Sequence, residues 1–123
     1  MEISMNAAEK TAKIQAAVAA HFEWFYNIKV AIATGNSDFK PEIVSADNLC
    51  AFGKWVYSDM RALCLNDQLY FEIQEIHAEF HRKAGAILDM ALQGEKDAAT
   101  KAVAIGGELA SLSGKLALIL RRL

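Results

Sequence analysis

Residues 66–94 read NDQLYFEIQEIHAEFHRKAGAILDMALQG. Tyr70, Ile73, His77, Phe80, Ala84, Ile87 and Ala91 recur in steps of three and four, which puts them on one side of a single long helix. Asn66 or Asp67 is positioned to open it, and Gly94 to close it. One imidazole lies on that buried stripe. A second, His81, stands one turn further along the same side, because residues four apart on a helix stack over each other. A helix that carries such groups inward needs neighbours that bury its stripe and satisfy its nitrogens.

The rest of the chain supplies those neighbours as helices. Ile14, Val18, His21, Phe25, Ile28 and Ile32 form an equivalent stripe that should stop near Gly35. Pro41 falls in the longest loop-like stretch, TGNSDFKPE. Beyond it, Ser45 or Asp47 is a candidate cap for a second helix with Leu49, Phe52, Val56 and Leu63 on one side. Ile105, Leu109, Leu112, Leu116, Ile119 and Leu123 mark a last helix, weakened at Gly106-Gly107, where a bend or a close helix contact is expected. No alternating β-branched run competes. The expectation is one all-α domain over residues 1–123: an antiparallel four-helix bundle with a shorter helix carrying Cys50.

Composition bounds the function. The 123 residues carry a formal net charge of −2, so there is no basic stripe for nucleic acid. No apolar run is long enough for a membrane span, and the start lacks the order of a signal peptide, so cytoplasm is the expected compartment. Cys50 and Cys64 are then read as thiols rather than a disulfide. If both lay on one helix their Cα atoms would stand roughly 21 Å apart, at about 1.5 Å per residue.

All three histidines of the chain, His21, His77 and His81, thus face one interior. A single core imidazole is ordinarily satisfied by a carbonyl or an acid. Three together have six ring nitrogens to satisfy, and each one left unpaired costs about 1–3 kcal/mol. A divalent metal satisfies all three rings at once. Cys50, in LCAFGKWVY, should lie in an early turn of its helix, where free N–H groups favour a thiolate. Gly53 leaves space for another helix or a bulky ring to approach, and Trp55 is placed to wall off water. Three imidazoles and one thiolate make a four-coordinate set suited to zinc, although copper or nickel also accept such ligands.

Three pieces of the sequence, HFEW at 21–24, CAFGKW at 50–55 and HAEFH at 77–81, resemble the chemoreceptor zinc-binding (CZB) domains of bacteria, and the similarity runs from about residue 10 to the end. The Cys-x-Phe-Gly-x-Trp motif is the most specific. The resemblance implies that His21, Cys50, His77 and His81 bind one zinc ion. It also implies an all-α bundle that often forms homodimers and works as a cytoplasmic sensory module. Its relatives join chemotaxis receptors or diguanylate cyclases and report zinc or oxidants such as hypochlorous acid. No coiled-coil signalling segment or cyclase domain accompanies the motifs here, so a stand-alone member or a piece of a longer protein is expected. A closed four-ligand site leaves no place for substrate, so the chain is read as no enzyme. The alternative is a zinc hydrolase with Cys50 detached, which would need a base from Glu23, Glu75 or Glu79; by spacing these point away from the ligands.

Overall fold

A computed structural model of the chain describes residues 7–123. Among the described residues, six helices follow one another: α1 (Ala7–Thr34), α2 (Pro41–Val44), α3 (Ala51–Val56), α4 (Asp67–Leu92), α5 (Lys96–Ala102) and α6 (Glu108–Leu120). A 3-10 turn, Met60–Leu63, precedes α4. The described residues contain no strand, and the helices pack together as an all-α bundle.

The long helices form where their stripes predict. Asn66 caps α4, its side chain accepting the Leu69 N–H at 2.9 Å. Every member of the 70–91 stripe is buried. Gly35 (φ +74°) and Gly94 (φ +83°) follow α1 and α4 in the left-handed conformation that ends helices. α4 is the spine: α1, α2, α5 and α6 all pack on it.

Two apolar clusters fill the bundle. One gathers Ala17 of α1, Phe52, Trp55 and Val56 of α3, Leu69, Tyr70 and Ile73 of α4, and Leu116 and Leu120 of α6. The other gathers Ile28 and Ala31 of α1, Val44 of α2, Phe80 to Ala91 of α4, Ala99 of α5 and Leu109 of α6. Residue numbers therefore rise together along α1 and α4 and fall along α6. Segment 35–66 also descends, from Val44 in the second cluster to Met60 in the first. It takes the place of the second rod in an up-down-up-down order.

That segment departs from expectation in detail. Neither Ser45 nor Asp47 caps a helix running to Leu63. Pro41 occupies the first turn of the short α2, where its fixed φ and missing N–H cost nothing. The chain then loops, and Cys50 itself is the N-cap of α3. Leu49 stays half exposed rather than joining a stripe. The helix ends after Val56, where the Ser58 hydroxyl donates to the Lys54 and Trp55 carbonyls and competes with further turns. Tyr70 secures that end by donating to the Val56 carbonyl at 3.0 Å.

The last stripe is also interrupted. Gly106 takes φ +84°, so the anticipated bend is a full break between α5 and α6, and Ile105 projects into solvent instead of the core. Leu109, Leu116 and Ile119 remain buried as predicted, and Lys83 pairs with Glu108 at 3.0 Å across α4 and α6.

Candidate metal centre

The level between the two apolar clusters is polar. His21 projects from α1 between Ala17 and Ile28, and His77 and His81 from α4 around Phe80. Cys50 reaches the same point from the start of α3. All three imidazoles are buried, and the thiol is half-buried. One ligand atom from each of the four residues lies within 4.8 Å of every other.

The atoms that meet are the three Nε2 nitrogens and the sulfur. His21 Nε2 stands 3.0 Å from His77 Nε2 and 3.2 Å from His81 Nε2. Cys50 Sγ lies 3.4 Å from His77 Nε2, 3.5 Å from His81 Nε2 and 4.0 Å from His21 Nε2. A tetrahedron with zinc bond lengths has edges of about 3.3 Å between nitrogens and about 3.6 Å from nitrogen to sulfur. The sulfur distances straddle the second figure and the nitrogen distances fall slightly below the first.

Two of the rings are also locked in the tautomer that a metal requires. His21 Nδ1 donates to the Ala17 carbonyl at 2.6 Å, one turn back on its own helix. His81 Nδ1 donates to the Val44 carbonyl at 2.9 Å. With the proton on Nδ1, each Nε2 presents a lone pair to the common point. His77 Nδ1 is buried without a partner. Without a metal, two protons would pair the four atoms, one on His77 Nε2 directed to His21 Nε2 and one on Cys50 Sγ directed to His81 Nε2. A cation held by these four residues would take the place of both protons: the thiol would lose its own, and the His77 proton would move to Nδ1.

Burial sets the charge state. It lowers His21 to about 4, against the pull of the Ala17 carbonyl. It lowers His77 to about 2, helped by the neighbouring His81 and His21, and it lowers His81 as well. Neutral imidazoles are the ligand form. The sequence reading expected the start of α3 to favour a thiolate, yet burial pushes the Cys50 thiol up, outweighing the Gly53 and Phe52 N–H groups. A bare helix start does not ionise this sulfur, whereas a dication beside it would.

These shifts have a measurable consequence. Below the ordinary histidine value of 6.5 the unfolded chain takes up protons that the folded chain refuses, so stability falls as pH drops. Each imidazole contributes roughly 1.4 kcal/mol per pH unit inside its window. Urea unfolding of metal-free protein should therefore be level above pH 7 and decline steeply between pH 6.5 and 5. A curve that stays flat down to pH 5 would contradict the burial of these rings.

The segment that carries Cys50 is seated by close backbone approaches that sequence reasoning did not foresee. Gly53 was read as room for a helix or a ring; a Cβ there would instead lie 1.9 Å from the Asp47 carbonyl oxygen. Gly85 of α4 likewise gives way to Ser45 and Pro41, which brings the Val44 carbonyl to His81. The Gly53 N–H donates to Cys50 Sγ at 3.2 Å. Asp47 accepts from Tyr57 Oη at 2.5 Å, and Gln74 of α4 donates to the same Tyr57 oxygen at 3.2 Å. Cys64, by contrast, is a free thiol whose Sγ lies 3.6 Å from the Met60 carbonyl, away from the cluster.

A family model described as the chemoreceptor zinc-binding domain matches residues 21–88, more than half of the chain, beginning on His21 and running past His81. The chain belongs to the chemoreceptor zinc-binding domain family. No individual curated protein and no solved structure matches it. The matched region of this CZB domain spans all four converging residues, and α5 and α6 lie outside it. The family is sensory rather than typically catalytic. Among the described residues no helix is long and apolar enough to cross a membrane.

Proposed function

We propose that this chain is a single sensory domain in which His21, Cys50, His77 and His81 hold one zinc ion, and that Cys50 is the ligand that responds. The observation that carries this reading is the unequal anchoring of the four. Three ligands stand on α1 and α4, of 28 and 26 residues, while the sulfur begins a helix of six. Zinc, when bound, keeps the sulfur deprotonated and adds no redox chemistry of its own. His21 and His81 hold position through their Nδ1 contacts, and all three imidazoles through their long helices. Protonation of Cys50, or its oxidation to a sulfenic acid, takes away the only soft donor. Segment 45–56 is then free to shift against α4, a repacking that an attached or separate output can read.

Such an output would be of the chemoreceptor or diguanylate cyclase type, in the cytoplasm. Phe22 and Tyr26, both more than half exposed on the outer face of α1, flank a groove against α6 and offer apolar surface to a second copy. The hydrolase alternative finds no support at the site. Glu23 lines that outer groove, Glu75 is exposed, and Glu79 is paired with Arg82.

Metal analysis and the cobalt-substituted spectrum test the proposal together. Protein purified without added metal should carry about one zinc per chain, and the cobalt form should show an intense thiolate-to-metal band. Cys50→Ala should keep metal on three histidines, bind it at least about tenfold more weakly, lose that band and lose the response to oxidant. An intact response in that variant, or protein without metal, would discard the reading.

A further inference from the structure

Two clefts end on the same sulfur. A small one, about 150 Å³, runs between α1 and α3 past Ala20 and Phe52 to His21 and Cys50. A larger one, about 370 Å³, enters beside α2 between Phe39, Ile43 and Leu49 and reaches Cys50 and His81. Trp24 lines both. Its ring meets Phe39 edge-on, with centroids 4.9 Å apart. Trp24 therefore forms a partition, and the wider path to the thiol is bounded by aromatic and aliphatic side chains.

We infer that the Trp24–Phe39 wall makes Trp24 a specificity-determining residue, admitting compact uncharged oxidants to Cys50 and holding back anionic ones. The inference rests on Cys50 being the responsive ligand and adds which reagents can reach it. Charged groups lie at the rims: Asp38 and Lys40 at the wider mouth, Lys13 at the narrower. Inside, imidazoles that ligate a metal carry no charge, and Asp47 is the carboxylate that acts on the Cys50 sulfur. A dication, one thiolate and one carboxylate sum to zero charge. An anion entering from water loses hydration in an apolar passage and meets no net positive charge in return. A neutral peroxide or hypohalous acid does not bear that cost. With hydrogen peroxide the thiolate attacks one oxygen, the O–O bond breaks, sulfenic acid forms and hydroxide leaves with the two electrons that sulfur gives up.

Alkylation measures access without depending on the metal. In the full chain carrying Cys64→Ser, Cys50 modification by iodoacetamide and by iodoacetate is followed by mass spectrometry, with metal content measured in parallel and glutathione as the open reference thiol. The ratio of the neutral to the anionic rate at Cys50 should exceed the glutathione ratio by at least about tenfold. Trp24→Ala should bring it within about threefold of glutathione, while Trp24→Phe should preserve most of it. Ile43→Lys, a change at a half-exposed position, should raise the iodoacetate rate at least about fivefold and leave iodoacetamide unchanged. A wild-type ratio equal to that of glutathione overturns the inference. So does a ratio indifferent to both Trp24→Ala and Ile43→Lys. A chain that lacks metal yet shows the full pattern would remove the proposed function and leave the gate standing.

Discussion

Gly53→Ala is expected to pull Cys50 out of the metal site while leaving the three histidines in place. The added methyl would stand 1.9 Å from the Asp47 carbonyl oxygen, 2.9 Å from its carbon and 3.2 Å from Asn48 Cα. These are backbone atoms, so no flexible side chain can swing aside. Either α3 lifts away or the 45–50 loop does, and Cys50 lies at the junction of the two. The same movement breaks the Gly53 N–H contact with the sulfur. Overpacking of this kind costs about 1–3 kcal/mol, which a bundle with two intact apolar clusters should survive. Metal affinity should fall by about 10- to 100-fold, the range seen when support around a site is lost. The cobalt form should lose its thiolate band while helicity stays near wild type. A variant that keeps both band and affinity would show that the Cys50 loop is not held by this contact.

The same loop shows where sequence patterning stops informing. The 70–91 stripe could be read directly, because helical periodicity and burial are one signal when a helix is long and amphipathic. His21, His77 and His81 were legible for that reason: each sits in register with apolar neighbours, and register fixes direction. Segment 35–66 has no such redundancy. Its apolar residues fit a helical rhythm, yet Pro41, the Cys50 cap and the Ser58 hydroxyl divide it into pieces too short for periodicity to mark. The supporting contacts were harder still. Ala17 and Val44 hold two rings through backbone carbonyls, which every residue possesses and no sequence distinguishes. Gly53 carried a usable signal, since a glycine within a helix implies close approach, but the approaching group was a loop from the same chain. Ile105 failed as a stripe member because Gly106 reverses the backbone immediately after it, and a local dihedral overrides a periodic pattern.

His77→Leu should invert the order of stability between metal-loaded and metal-free protein. His77 is fully buried against Phe52, its Nδ1 has no partner, and burial holds it neutral. In the metal-free chain that unpaired nitrogen costs about 1–3 kcal/mol. Leucine removes the polar group and adds apolar contact to the Ile73–Phe80 side of α4, offset in part by the loss of a hydrogen-bond donor to His21 Nε2. Metal-free His77→Leu should therefore melt at or above the metal-free wild type, by a few degrees for about 1 kcal/mol. Zinc reverses the comparison. Binding to the folded chain at a thousandfold excess over the dissociation constant adds about 4 kcal/mol to wild type, and little to a variant without its central ligand. Wild type should lead with zinc and trail or tie after chelation, in thermal melts of the same two proteins. A buried histidine serving only the core gives a different pattern: chelation would leave both melting temperatures where they were. The sign of the crossing thus separates a nitrogen kept for a cation from one merely tolerated by packing, and it does so without reference to any signalling output.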